Sequence, residues 1–143
     1  MSGRNRWRKR ILFVSAAIVG IPALFFIMAT AYFVFVPSSE DYAHRREFDP
    51  GAWRDQSVEA DSLWPTRLRM VDDLIAGKRL DGLTRPEIGS MLGPEDRTGK
   101  FQDWNLVYYL GPERRGLFRI DSEWLVIRFS PSGLVAEYRI VVD

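Results

Sequence analysis

Few residues of this chain could take part in catalysis or hold a metal ion. Its 143 residues include no cysteine and a single histidine, His44. The lack of cysteine excludes a disulfide framework, a thiolate zinc site, an iron–sulfur cluster and a cysteine nucleophile. One histidine alone excludes a multi-histidine metal site, and a general base at His44 would need a fixed partner and a pocket. We therefore expect His44 to be a solvated residue of a linker.

The acidic and hydroxyl side chains do not form a catalytic pattern either. Asp72 and Asp73 are adjacent on a predicted helix, so their side chains do not face each other. Glu95 and Asp96 follow a helix, but the ligand spacing of a calcium loop is missing. Residues 130–133, Ser-Pro-Ser-Gly, have no accompanying base and are typical of a turn. We predict that the protein is not an enzyme and uses no cofactor or metal ion.

The residues that could bind a partner are aromatic or basic and lie in the second half of the chain. Several of them are on predicted strands that carry apolar side chains on both faces, a surplus that an interface could use. Arg114 and Arg115 are adjacent and could bind an acidic partner or a lipid headgroup. Such a pair on a hairpin more often only keeps a protein soluble. The candidate interaction surface consists of Trp104, Tyr108, Arg114, Arg115 and Trp124.

Two predicted helices precede the strands that carry this surface. Apolar side chains from Leu68 to Ile75 recur at helical spacing, and Gly77 ends this first helix. Thr84 and Glu87 have the spacing of a capping box, which predicts the start of a second, shorter helix. Both helices can cover one face of a sheet.

Three segments then follow the alternating pattern of strands, residues 104–110, 123–129 and 134–142. Short, turn-rich segments join them, which predicts an antiparallel meander. The predicted fold class is α+β, with a single N-terminal transmembrane helix and a small two-layer domain in which two helices pack on a three-stranded antiparallel sheet.

Charge is unevenly distributed along the chain. Residues 1–10 contain five basic side chains and no acidic one, whereas the net charge of the whole chain is +1. The remainder therefore carries a net charge of −4. A domain without a net positive field is not expected to bind nucleic acid.

A long uncharged segment follows the basic tip. Residues 11–36 contain no charged side chain, which predicts a transmembrane helix in the lipid bilayer. The alternative is a cleaved signal peptide, whose apolar region is usually only about 7–15 residues long. Positively charged flanks stay inside, so residues 1–10 predict a cytoplasmic N-terminus and an inner-membrane, single-pass protein. Residues 37–60 are then a linker, and residues 61–143 form a periplasmic domain.

The predicted linker is rich in proline, serine, glycine and charged residues, a composition that favours little regular structure. Phe48 and Trp53 are its large aromatic side chains. They could pack onto the domain or meet the membrane surface. We expect packing, because isolated large aromatic side chains are usually buried.

One segment has a more specific pattern. Leu80 to Asp96, LDGLTRPEIGSMLGPED, resembles the helical signature of the BamE/SmpA (OmlA) family of small bacterial outer-membrane proteins. In that signature a Gly-x-Thr turn opens a helix that ends in Leu-Gly near a proline, here Gly82, Thr84, Leu92, Gly93 and Pro94. The segments WNLVYYLG and EWLVIRFSPSGLV are similar to the family's aromatic strand and last hairpin, so the resemblance covers about residues 66–142.

The resemblance implies a partner-binding or stabilising role in the envelope of a Gram-negative bacterium. Typical members carry a lipid on an N-terminal cysteine, which this chain lacks. We therefore expect a membrane-anchored, extracytoplasmic interaction or scaffold module that presents its sheet, or the edge of its sheet, to an envelope protein. The alternative is a small inhibitor or immunity-type protein that blocks a toxin or hydrolase outside the membrane with acidic and aromatic loop residues.

Overall fold

The computed structural model describes residues 19–32, 41–55, 63–114 and 120–143. The chain divides into two compact units, Met1–Ser39 and Glu40–Asp143. In the first unit, residues 19–32 are helical, and large apolar side chains such as Phe25 and Phe26 are exposed.

The structure corrects the fold prediction at the expected membrane-spanning helix. No helix within the described ranges is long and apolar enough to cross a bilayer. Residues 11–18 and 33–36 of the predicted segment lie outside the described part of the chain. The fold prediction, which includes this helix, is therefore wrong as stated.

The second unit is a small α+β domain, in which residues 41–44 are helical and three further helices follow within the described residues. They are α1, Pro50–Arg54, α2, Thr66–Ala76, and α3, Arg85–Leu92. Asp49 caps α1 by accepting a hydrogen bond from the amide of Ala52 at 2.6 Å. Thr84 caps α3: its amide and hydroxyl both donate to the Glu87 carboxylate at 2.7 Å, in the predicted capping box. The backbone bond, followed by the hydroxyl bond, lowers the pKa of Glu87.

The sheet contains three antiparallel strands in the order β1, β2, β3. They are β1, Leu106–Pro112, β2, Ser122–Phe129, and β3, Val135–Val142. In the register of the sheet, Tyr108 lies opposite Leu125 on β2, and Leu125 lies opposite Ile140 on β3. β1 and β3 are thus the two edge strands.

The core lies between the helices and one face of this sheet. It consists of completely or almost completely buried side chains from α1, α2 and α3, from the turn after α2, from β1 and from β2. The largest of them are Trp53, Tyr108, Leu68, Met70, Leu74, Leu80, Ile88, Leu92, Leu110, Leu125 and Ile127. Because side chains alternate along a strand, the residues between these core positions lie on the opposite, outer face.

Residues 41–55 are part of this packing, although the sequence assigns them to a linker with little regular structure. Phe48 is 8% exposed and Trp53 is fully buried, which confirms that these aromatic side chains pack onto the domain. The amide of Phe48 donates to Asp73 at 2.9 Å, and the backbone of Arg46 donates to the carbonyl of Arg69 at 2.8 Å. The ring of His44 stacks on the ring of Trp64 at 4.4 Å, so His44 is not the solvated linker residue that we expect from the sequence.

Candidate functional site

The edge of the sheet along β1 is covered by one loop residue. The Asp96 amide donates to the Val107 carbonyl at 2.9 Å, and the Asp96 carboxylate accepts from the Tyr109 amide at 2.7 Å. The Val107 carbonyl and the Tyr109 amide therefore point away from β2, and both already have a hydrogen-bond partner. Another chain cannot add a strand here without displacing Asp96.

Arg67 on α2 holds Asp96 in that position. Its guanidinium donates to the Asp96 carboxylate at 2.7 Å and to the Tyr109 carbonyl at 3.4 Å. The residue is only 6% exposed, and its guanidinium lies 5.6 and 5.5 Å from the ring centres of Trp53 and Tyr108. Attraction to both rings adds to the ion pair in holding the guanidinium beside Asp96.

The edge along β3 has no comparable cover. The amide of Asp143 donates to the carbonyl of Ser122 on β2 at 3.2 Å. Because backbone groups alternate along an antiparallel strand, those of Tyr138, Ile140 and Val142 point away from β2.

Most of these outward groups on β3 lack a backbone partner. Among the described residues, the one backbone hydrogen bond on that side joins the amide of Val135 to the carbonyl of Leu83 at 2.9 Å. The adjacent residue Leu134 forms an isolated bridge with Thr84, so the turn before α3 covers only the start of the edge. The edge from residue 136 to residue 142 is open within the described part of the chain. We call residues 136–142 the open edge.

The outer face of the sheet carries a cluster of aromatic and arginine side chains. The Arg128 and Arg139 guanidiniums lie 4.4 and 5.1 Å from the centre of the Trp104 ring. The Trp124 ring packs edge-on against Tyr109 with their centres 5.0 Å apart, and its Nε1 donates to Asp143 at 3.1 Å. These contacts cover Val107 and Val126, which are buried on this face.

A buried charge cluster fixes the first described residues of the domain, 41–46. Arg114 is 7% exposed and donates to the carboxylates of Asp41 at 3.2 Å, Asp72 at 2.7 Å and Glu123 at 2.9 Å. Arg45 also contacts Asp41 and Asp72 at 3.1 Å. Burial alone would lower the pKa of Arg114, but the hydrogen bonds that it donates to Glu123 and Asp72 outweigh burial and raise the pKa.

The structure separates the residues of the candidate interaction surface. Trp104 and Trp124 lie on the outer face, where both are partly exposed. Tyr108 is 1% exposed because its ring faces the core, and its hydroxyl donates to the Gly93 carbonyl at 3.0 Å. Arg114 is buried in the charge cluster, and Arg115 lies outside the described residues. Tyr108 and Arg114 therefore cannot contribute to a surface.

The sequence alone does not identify the open edge. The signal that could have found it is the composition of β3, VAEYRIVV, which has no proline and no glycine to interrupt pairing. Nothing in the sequence indicates that Asp96, in the loop after α3, covers the other edge.

A groove of about 590 Å³ lies between the loop after α3 and β1. Its charged lining is mixed: Arg85 contacts Glu95 at 3.4 Å and donates to the backbone of Asn105 at 2.7 Å. In the described ranges, no group of three or more histidine, aspartate or glutamate side chains is arranged to hold a metal ion. The geometry of the described site is suited to backbone pairing at the open edge.

Comparison with known proteins gives no match: no family model, no curated protein and no solved structure matches this chain. The arrangement of the described residues is therefore the basis for a proposal about function.

Proposed function

We propose that the domain is a protein-interaction module of the bacterial cell envelope that binds an extended segment of its partner along the open edge. The observation that carries the proposal is the difference between the two edges of one sheet. Asp96 and Arg67 cover β1, whereas the outward groups of Tyr138, Ile140 and Val142 have no backbone partner among the described residues. Strand addition supplies affinity through main-chain hydrogen bonds to such groups.

The composition of the open edge supports this use. Proteins usually protect an edge strand with proline, a bulge, inward-pointing charge or a covering loop. β3 has a register shift where Phe129 lies opposite Val135, but it continues for seven residues beyond that point. Glu137 and Arg139 are the charged residues of this edge, and no proline or covering loop of the described chain blocks its outward backbone groups, so a partner strand can pair with them.

The envelope address rests on the resemblance to the BamE/SmpA family, and the proposal needs no membrane-spanning helix. Strand binding also agrees better with the contacts than the inhibitor hypothesis. That hypothesis needs acidic loop residues that are free to enter the site of another protein. Asp96 instead makes two hydrogen bonds along β1 and an ion pair with Arg67.

Photo-crosslinking in cells that produce the full chain tests the proposal. A photoreactive amino acid replaces Val142, which is 48% exposed at the open edge, or Glu95, which is exposed near the covered edge. We expect a covalent adduct from position 142 and none from position 95. Equal adducts from both positions would contradict binding at the open edge.

A matched pair of variants tests whether the backbone is what the partner recognises. Ile140→Pro removes an outward amide, and an edge strand tolerates proline at such a position. Ile140→Ala loses similar packing but keeps the amide. We expect the adduct at position 142 to disappear with proline and to persist with alanine, with circular dichroism confirming that both variants fold. Persistence with proline would refute main-chain recognition.

A further inference from the structure

We propose that the open edge binds the same edge of a second copy of this chain, so that two sheets join into one six-stranded antiparallel sheet. This inference rests on the proposed function, because it uses the same outward groups of β3. It adds the identity of the partner and the register of the pairing.

The charges on β3 select one register. Two antiparallel copies of β3 are related by a two-fold axis perpendicular to the sheet, which places one residue opposite its own copy. When that residue is Tyr138, Glu137 of each copy lies directly opposite Arg139 of the other. Two cross-strand pairs of opposite charge then form on the outer face, and such pairs stabilise a sheet.

The neighbouring registers fit the charges of β3 less well. An axis through Glu137 or Arg139 puts that residue opposite its own copy. An axis through Val141 puts Arg139 opposite Asp143, but that carboxylate already accepts hydrogen bonds from Ser122 and Trp124 of its own chain. An axis through Ile140 puts Glu137 opposite Asp143 of the other copy, twice. A parallel pairing in register puts Glu137 beside the second Glu137. Like charges directly opposite each other destabilise a sheet, so the register centred on Tyr138 is the one that the sequence of β3 fits.

The turn before α3 covers the start of β3 and so limits how many residues of the two copies can pair. Leu83 and Thr84 already pair with Val135 and Leu134. In the register centred on Tyr138, Val142 of the second copy would lie opposite Leu134, so the turn before α3 stops the pairing there. Residues 136–140 of the two copies remain to be paired. Such a short contact gives a weak, concentration-dependent dimer.

The side chains of Glu137 and Arg139 are exposed and would exchange contacts within their own chain for this pairing: Arg139 lies 4.0 Å from Glu137 and 5.1 Å from the centre of the Trp104 ring. Glu137 and Arg139 are 44% and 61% exposed, and Glu137 contacts Arg128 of its own chain at 3.3 Å. Alanine, tyrosine and isoleucine at positions 136, 138 and 140 add no further charge to the interface. The interface thus combines four complementary charges with backbone pairing.

Cysteine crosslinking measures this register directly, because the natural chain has no cysteine. Glu137→Cys and Arg139→Cys are made in separate full-length chains, which are mixed in a mild detergent because residues 19–32 expose apolar side chains. In the proposed register, positions 137 and 139 of different copies have Cα atoms about 4.5 Å apart, within the range of a disulfide. Two copies of position 137 lie about 7–8 Å apart, beyond that range.

We expect mild oxidation to give mainly the mixed 137–139 disulfide and little of either symmetric product. A Ser132→Cys chain, with its cysteine in the exposed turn before β3, is the control and should crosslink little. A statistical mixture of the three products, or crosslinking equal to that of the control, would overturn the proposed register. An association through residues 1–39 alone would give the same negative result.

Charge reversal provides a second measurement. Glu137→Arg or Arg139→Glu alone places like charges opposite each other and should weaken dimerisation about tenfold in sedimentation equilibrium. The double variant restores opposite charges and should restore the affinity. Equal affinities for single and double variants would overturn the charge pairing.

The crosslinking experiments also separate this inference from the proposed function. If the mixed disulfide does not form but the photoreactive group at Val142 still captures a different protein, with capture lost in Ile140→Pro and kept in Ile140→Ala, self-pairing is refuted and strand binding stands. If position 142 gives neither an adduct of two copies nor an adduct with another protein, both are refuted.

Discussion

Replacement of Arg114 by methionine should destabilise the domain strongly. The side chains of Arg114, Asp41 and Glu123 are only 8%, 5% and 6% exposed, so the variant leaves two buried carboxylates without this cation. Arg45 still contacts Asp41, and the backbone amide of residue 114 still donates to Glu123 at 2.8 Å. Removal of one partner from a buried ion pair usually costs about 3–5 kcal/mol, and these remaining contacts favour the lower end of that range.

A loss of about 3 kcal/mol is a large part of the total stability of a small domain, which is roughly 5–15 kcal/mol. It corresponds to a fall in Tm of roughly 12–24 °C for a domain of this size. Thermal and urea unfolding of the full chain, followed by tryptophan fluorescence, measure the change. The matched control is Arg128→Met, whose ion pair with Glu137 is 44% exposed on both sides and should contribute less than about 1 kcal/mol.

The double variant Arg114→Met/Glu123→Gln tests the cause. It removes the charge of Glu123, so it should be more stable than Arg114→Met alone, even though it differs from the natural chain at one more position. The reasoning is refuted if Arg114→Met is no less stable than Arg128→Met.

Three further predictions follow from other contacts. Asp96→Ala should destabilise the domain by about 2 kcal/mol and speed amide hydrogen exchange at Tyr109. The control Asp103→Ala should change neither the stability nor the exchange. Unchanged exchange at Tyr109 in Asp96→Ala would show that Asp96 does not cover β1. Gly111→Ala should destabilise the domain by roughly 2 kcal/mol or more, because the φ of Gly111 is +149° and a Cβ would lie 2.9 Å from Cγ of Pro65. Gly89→Ala, in open space on α3, is the control and should stabilise the domain by roughly 0.5–1 kcal/mol. Equal changes in the free energy of unfolding for the two variants, measured in urea, would contradict this prediction. Burial raises the pKa of Tyr108 to about 12 from 10.0, so the folded state favours the neutral phenol. This contribution to the free energy of unfolding should be fully present below about pH 10 and be lost between about pH 10 and 12. Tyr108→Phe should reduce that loss, and an identical pH profile of stability for the variant would refute the assignment.

The parts of the fold that the sequence predicts well depend on local interactions. The capping box of Thr84 and Glu87 uses residues three apart, and the structure has it at the start of α3. The alternating segment 123–129 lies within β2, Ser122–Phe129, because turn residues on both sides fix the length of the strand. Periodicity and caps therefore position helices and strands in this chain.

The parts that the sequence does not predict depend on contacts between distant residues. Asp41 and Arg114 are 73 positions apart, and nothing near Asp41 indicates that its carboxylate is buried. Tyr108 alternates correctly along its strand, but only the position of Gly93 shows that its hydroxyl has a buried partner. The apolar segment at residues 11–36 was interpreted from composition alone, and no helix in the described part of the chain is long and apolar enough to cross a bilayer.

The candidate site also depends on contacts between residues that are distant in sequence. Both edges of the sheet have apolar sequences, and only the position of Asp96 and Arg67 distinguishes the covered edge from the open one. A loop carboxylate cannot be assigned to a strand edge until the fold brings the two together.

Amide hydrogen exchange of the dilute full chain, followed by NMR, tests the difference between the two edges most directly. We predict fast exchange at Tyr138, Ile140 and Val142, whose amides point outward from β3, and slow exchange at Tyr109, whose amide donates to Asp96. We also predict slow exchange at Arg139, whose amide faces β2. Slow exchange at all three outward amides of β3 under dilute conditions would mean that the edge is already covered within the chain, and would contradict strand binding there.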